Sequence, residues 1–273
     1  MSGRSFIGET RIEALPGDAR GFAYGDGLFE TMRVHQGVVP WWAAHRARLE
    51  AGAARLRLSL PTATTIEGVL AELFDDQGDG VAKLIVTRGG GGRGYAPALD
   101  APPVWRLSRH PFPQAPRAGG LVLRWCETRL AVQPALAGLK HCNRLEQVLA
   151  RGEWNDPTIE EGLMRSTDGD VVCATAANLF VLHGTRWSTP RIDRCGVAGT
   201  CRAWLLSQTG AAEVRMAPAE VETADAVLLC NAVRGILPVA RLGERVFAPH
   251  PAVAELAQRL AHAHPGFAAG PLL

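Results

Sequence analysis

Lysine is almost missing from this chain. Of 29 basic residues only Lys83 and Lys140 are lysines, so the surface is solvated by arginine. Other absences bound the protein further. No apolar run is long enough to cross a bilayer, and no membrane partner is expected. The net charge is only +2, with no basic tract and no interleaved aromatic stripe, which argues against a nucleic-acid partner. The opening Met1-Ser2-Gly3-Arg4-Ser5 has no apolar core of a secretory leader, so export is not expected. Cys126, Cys142, Cys173, Cys195, Cys201 and Cys230 are scattered, with no C-x-x-C and no histidine pair at zinc spacing. Reduced thiols in the cytoplasm and no metal site are the expectation. No repeat of solenoid period is present. What remains is an ordinary globular composition, 47% hydrophobic and 21% charged over 273 residues, with length for one large or two modest domains.

The elements follow from periodicity and punctuation. Residues 4–12 read as a strand. Gly27 to Val34 alternates like a strand, after the glycine-rich Gly21-Phe22-Ala23-Tyr24-Gly25-Asp26. Helices are predicted over 41–56 and 64–74, and a strong strand over Val81–Arg88. That strand runs into Gly89-Gly90-Gly91-Gly92-Arg93-Gly94-Tyr95, either a loose turn or a loop whose backbone approaches a ligand. No Gly-Lys-Ser/Thr follows, so it is not a nucleotide P-loop. Five prolines between 102 and 116 mark a boundary. The organisation expected is a smaller α+β domain over 1–108, a linker over 109–118, and a larger domain over 119–273 that carries Lys140. In the latter, strands are read at 121–125, 161–165, 171–173, 178–183 and 226–230. Helices are read after Lys140, from the Gly196–Arg202 stretch to Gly210, and over 251–263.

Lys140 lies in Leu139-Lys140-His141-Cys142-Asn143-Arg144-Leu145-Glu146-Gln147. A lysine amine can lose its proton and attack a carbonyl, whereas a guanidinium stays charged. Set between a Gly-Leu pair and a helix-like run, it is either a nucleophile held at the end of an extended segment or a surface cation on a loop. Gly196-Val197-Ala198-Gly199-Thr200-Cys201 opens a helix with free amides and the positive end of its dipole, an anion site in form. A capped helix that binds nothing has the same pattern. Asn231-Ala232-Val233 after a buried strand offers more amides, and Arg48 a bidentate cation, although a helix arginine facing water is the commoner case. Together a Schiff-base lysine and several phosphate-binding elements point to pyridoxal phosphate.

Further motifs carry a family resemblance: Tyr24-Gly25-Asp26-Gly27-Leu28-Phe29-Glu30-Thr31, His45-x-x-Arg48-Leu49, Thr87-Arg88-Gly89, Gly92-Arg93-Gly94-Tyr95, Ala176-Ala177-Asn178-Leu179-Phe180 and Cys230-Asn231-Ala232. With the Lys140 run, they make nearly the whole chain similar to the aminodeoxychorismate lyases. These belong to the fold-type-IV pyridoxal-phosphate enzymes, with the branched-chain and D-amino-acid aminotransferases. The resemblance implies a two-domain α+β subunit, a homodimer, and an active site at the domain and subunit interface. It implies Lys140 as the catalytic Schiff-base lysine and Arg48 on the cofactor phosphate. Thr200, Cys201 and Ala232 would complete the phosphate cup, and Val197 would pack on the pyridine ring. Phe29, Arg93 and Val233 would meet substrate, Arg93 through a carboxylate. The implied reaction turns 4-amino-4-deoxychorismate into 4-aminobenzoate and pyruvate in folate biosynthesis.

One position departs from the pattern. The family places a glutamate against the pyridine nitrogen, five residues before the Asn-Leu-Phe strand, and here that place is Cys173. A thiol is a weak, mostly neutral partner. The expectation is a weaker electron sink that suits elimination to an aromatic product better than transamination. An aminotransferase of the same fold, and a relative impaired in catalysis or lacking the cofactor, are the alternatives.

Overall fold

The computed structural model describes residues 2–90, 94–114 and 119–268. The chain forms two compact units. The first comprises Met1–Pro113 and Leu139–Asn143. Its elements are β1 (Ser2–Ile7), β2 (Thr10–Ile12), α1 (Arg20–Tyr24), β3 (Gly27–Val34), α2 (Trp42–Leu56), α3 (Ala63–Leu73), β4 (Gly80–Thr87) and β5 (Val104–His110). The strands make an antiparallel sheet in the order β2-β1-β5-β4-β3. β4 lies inside the sheet, and its Val81, Ala82, Leu84 and Val86 are buried, which is why its sequence reads as an almost continuous apolar run. β3 is the edge strand of this order and alternates buried and half-buried residues. α2 buries His45, Leu49, Gly52 and Ala53, one helical stripe. At Gly52 a Cβ would lie 3.0 Å from Leu28 Cδ1, so glycine lets this helix close on β3.

Residues 139–143, which the linker reading assigns to the 119–273 domain, join the first unit instead. The cause is backbone pairing along the open edge of β3. Phe29 N donates to Lys140 O at 2.9 Å, Cys142 N donates to Gly27 O at 2.9 Å, and Leu28 and His141 form an antiparallel bridge. An exposed strand edge with unpaired amides is thereby covered. The expected linker also begins too early, because Arg109 and His110 pair with Ala82 and Val81 as the end of β5. The strand read over 4–12 is two strands, turning at Gly8 with φ +56°. The glycine-rich stretch also holds α1, a single short turn that stops at Gly25, φ +61°.

The second unit comprises Gln114–Gly138 and Arg144–Leu273. It contains β6 (Leu121–Leu130), α4 (Leu145–Arg151), β7 (Glu161–Ser166), β8 (Val171–Ala174), β9 (Asn178–His183), β10 (Arg186–Pro190), α5 (Thr200–Thr209), β11 (Ala212–Val214), α6 (Pro218–Glu222), β12 (Ala226–Asn231), β13 (Gly235–Leu242), β14 (Arg245–Val246) and α7 (Pro251–Ala263). Its mixed sheet runs β11-β10-β9-β12-β13-β6-β7-β8, with β14 on β13. β9 and β12 sit in the interior, and Leu179, Phe180, Val181, Leu228 and Leu229 are fully buried. β6 is longer than the predicted 121–125 because it resumes pairing with β7 after an irregularity between Trp125 and Arg129. α5 ends at Gly210, φ +60°, as its sequence requires. Among the described residues no helix is long and apolar enough to cross a membrane.

Leu84 on β4 is fully buried. Leu84→Ala is expected to destabilise the fold by about 2–5 kcal/mol through the cavity it leaves. The measurement is a denaturant melt followed by circular dichroism, and a midpoint equal to wild type contradicts this packing.

Candidate functional site

In the first unit the site is built on β3. Successive residues of a strand face opposite sides, and Phe29 and Glu30 divide the chemistry between them. The Lys140 ammonium stands 4.3 Å from the centroid of the half-buried Phe29 ring. Lys83 approaches the same ring at 5.8 Å. The only two lysines of the chain therefore share one aromatic surface, the fit of cation to ring face. Sequence reasoning passed over Lys83. The signal was its scarcity together with the register that pairs it with Thr31, two residues from Phe29.

On Glu30 three polar groups meet. Its carboxylate accepts from His45 Nδ1 at 2.6 Å, from Arg48 Nε at 2.8 Å, and from Arg48 Nη2. Glu30 and His45 are each only 1% exposed, whereas the Arg48 side chain retains 13%. Burial alone works to raise the Glu30 pKa, but the hydrogen bonds from His45 and Arg48 and the Arg48 charge hold it below the usual range. His45 is held below its usual value by burial, and the Arg48 and Lys140 charges add to this against the pull of Glu30. The group is thus a carboxylate, a guanidinium and a neutral imidazole.

The glycine loop is tied to the neighbouring Asp26. Arg88 and Arg20 both donate to Asp26 Oδ2, at 3.0 and 2.8 Å. Arg20 also donates to the carbonyls of Gly94 and Tyr95 at 3.0 and 3.3 Å. Gly89 has a plain steric reason: a Cβ there would sit 1.9 Å from Pro102 O. Arg93, the residue expected to meet a substrate carboxylate, lies outside the described residues.

In the second unit the anion-site elements are Gly196–Cys201 and Asn231–Arg234. α5 starts at Thr200 behind Gly199, with no side-chain cap on its first turn. Thr200 Oγ1 is buried with no hydrogen-bond partner among the described residues. A buried hydroxyl left over beside uncapped helix amides fits a phosphate group. Asn178 Nδ2 donates to Val197 O at 2.9 Å, and a Cβ on Gly199 would lie 2.1 Å from Asn178 Oδ1. The loop can pack this closely only with glycine. Asn231 Oδ1 accepts from Val233 N and Arg234 N at 3.0 and 2.8 Å and so shapes the turn that carries Ala232. Cys201 turns its thiol to Cys230, where burial and that partner push its pKa well up. Only its backbone amide is suited to an anion.

Cys173 is 8% exposed and packs with Cys126, Trp154, Met164 and Cys195. Burial, with Cys195 and Glu161 adding to it, pushes its thiol up to about 12 against the opposing charge of Arg144. It is neutral at physiological pH. Glu161, the nearby acid, is taken up by the turn after β8. It accepts from Gly162 N at 2.9 Å, Thr175 N at 3.2 Å and the Thr175 hydroxyl. Its pKa is raised by burial, which outweighs those bonds. Among the described residues no cluster of metal-ligand type occurs.

The His45–Glu30–Arg48 group makes a pH prediction. His45 has a folded pKa below its usual 6.5. Its neutral form thus contributes stability that is present above 6.5 and lost as pH falls through the folded value. Glu30 acts in the same direction in a lower window, since its folded pKa lies below 4.5. Thermal melts are expected to be level above pH 7 and to fall progressively below 6.5, and His45→Gln should remove the first part of the fall. A variant profile superimposable on wild type would refute the assignment to His45.

Residues 27–242 match the Amino-transferase class IV family. A curated aminodeoxychorismate lyase of Vibrio harveyi is 36% identical over 234 residues, covering 82% of this chain and 86% of that protein. The solved 4-amino-4-deoxychorismate lyase of Pseudomonas aeruginosa is similar with a TM-score of 0.88 and 44% identity, over 94% of this chain and 98% of that one. The branched-chain amino acid aminotransferase of Escherichia coli shares the fold at TM-score 0.82 and 16% identity, over 98% of this chain and 97% of that one. Another branched-chain amino acid aminotransferase of this fold is solved with pyridoxamine 5'-phosphate, at TM-score 0.82 and 18% identity. The chain belongs to the class IV aminotransferase family and has the fold-type-IV, mixed α+β architecture of its members.

Proposed function

We propose that this chain is a pyridoxal-phosphate-dependent lyase that converts 4-amino-4-deoxychorismate to 4-aminobenzoate and pyruvate in folate biosynthesis. The observation that carries the reading is Lys140, one of two lysines, held against Phe29 and next to the buried Glu30–His45–Arg48 group. The relatives at 36% and 44% identity bear lyase names. The residues assigned to the cofactor are Lys140, Arg48, Cys173, Val197, Thr200, Cys201 and Ala232. Phe29, Arg93 and Val233 are assigned to substrate. Lys83, on the same ring as Lys140, adds a cation suited to one of the two substrate carboxylates.

When bound, pyridoxal phosphate supplies an electron sink for the carbon that bears the substrate amine. Lys140 Nζ removes the proton from that carbon and, as its conjugate acid, returns a proton to the departing enolpyruvyl group. The carbon–oxygen bond breaks, the six-membered ring becomes aromatic, and the atoms balance without water. Cys173, assigned to the cofactor's ring nitrogen, is neutral and offers no charge to keep that nitrogen protonated. Aromatisation compensates in the elimination, whereas amino transfer has no such driving force.

A homodimer is supported by α4, whose Leu145, Val148 and Leu149 form an exposed apolar stripe at 76%, 63% and 64% exposure. A cytoplasmic location is supported by the six cysteines, which form no disulfide among the described residues.

Lys140→Ala is expected to lower pyruvate release by about 10²–10⁴-fold. Borohydride treatment of the wild type should leave a cofactor label on the Lys140 peptide and not on that of Lys83. A label on Lys83, or pyruvate release that depends on an added amino acceptor, contradicts the lyase reading. Cys173→Glu should shift the cofactor absorption and raise amino transfer relative to pyruvate release. Unchanged absorption together with an unchanged ratio would remove Cys173 from the ring nitrogen.

A further inference from the structure

We infer that Glu30 is the positioning residue of the anion-binding arginine: it sets the direction in which Arg48 presents its guanidinium to the cofactor phosphate. The inference rests on the cofactor reading and adds to it a residue that touches neither cofactor nor substrate.

The geometry is a fork. Arg48 meets the two Glu30 oxygens with Nε and Nη2, so one edge of the planar guanidinium is occupied and its plane is fixed. Oε2 also accepts from His45 Nδ1 at 2.6 Å. His45 and Arg48 sit on α2, while Glu30 sits on β3. The carboxylate thus spans the two elements and prevents the long arginine from sampling other rotamers. Depth is graded along the group. Glu30 and His45 side chains are 2% and 1% exposed, and Arg48 is 13% exposed. The buried end is the carboxylate, and the guanidinium is the end from which an anion can be met. The adjacent residue, Phe29, carries the Lys140 ammonium on its ring.

Electrostatics alone predicts the opposite sign from positioning. Removing a carboxylate that sits on the arginine strengthens the field felt by a phosphate, so charge by itself makes Glu30→Gln bind the phosphate more tightly. A glutamine has one acceptor oxygen and one amide donor at this place. It cannot take both Arg48 donors, and the fork is lost. If Glu30 acts by direction, the same substitution weakens phosphate recognition.

The experiment compares dissociation constants for pyridoxal 5'-phosphate and for pyridoxal, by absorbance titration, in wild type, Glu30→Gln, Arg48→Lys and the double variant. Glu30→Gln is expected to weaken the phosphate ester about 10- to 100-fold, the range for one charge-assisted hydrogen-bonding pair, with pyridoxal little changed. In the Arg48→Lys background, where no fork exists, Glu30→Gln should add nothing. If Glu30→Gln fails to fold, Glu30→Asp serves: it keeps the charge, withdraws the carboxylate by one methylene, and should show the same selective loss. Equal weakening of both ligands, unchanged phosphate binding, or tighter phosphate binding each overturns the inference. A wild type that binds pyridoxal as tightly as its phosphate overturns the cofactor reading itself, which separates the two failures.

Discussion

The pairing of β3 with residues 139–143 is the constraint on which the first unit's chemistry depends. A strand edge presents amides that must be bonded to something, and here the partner is the segment that carries Lys140. The two backbone bonds that make up the Leu28–His141 bridge fix the lysine's Cα relative to Phe29, and the ring then fixes the ammonium. A flexible four-carbon side chain is converted into a located amine. The opposite side of β3 is used for Glu30, so one strand supplies both an aromatic platform and an anionic anchor.

Charge in this unit follows a repeated pattern of one carboxylate serving two basic side chains. Asp26 serves Arg20 and Arg88, and Glu30 serves Arg48 and His45. Isolating a carboxylate from water is costly, and each of these recovers that cost with several donors. The two clusters differ in outcome. Around Asp26 both partners are permanent cations, and Arg20 extends the network to the carbonyls of Gly94 and Tyr95. Around Glu30 one partner stays neutral, because burial and two nearby cations oppose its protonation.

In the second unit the turns at Gly196–Thr200 and Asn231–Arg234 are shaped by neutral amides. Asn178 and Asn231 shape these turns through amide bonds, glycine at 199 allows the close approach, and the first turn of α5 carries no side-chain cap. Glu161 is spent on the backbone of the turn after β8. Cys173 is kept neutral by its apolar neighbours. This residue separates the chain from the pattern its other motifs follow.

The legible part of this protein was whatever depends on neighbours in sequence. Periodicity located α2, α3, β4 and α7 to within a residue or two, and Gly210 marked the end of α5, because helical stripes and positive-φ stops are local. Lysine scarcity singled out Lys140, and the family resemblance implies a role for it. The sequence did not reveal which unit holds that lysine, since proline density marks a linker but says nothing of an edge strand waiting for a partner. It also did not show that Lys83 shares the Phe29 ring, or that Glu30 binds His45 and Arg48 across 15 and 18 residues. Such contacts depend on strand register and on the angle at which α2 crosses β3, and tertiary packing alone sets these. Residue types therefore determined which chemistry was available, and the fold decided which groups meet, in which charge state and in which direction.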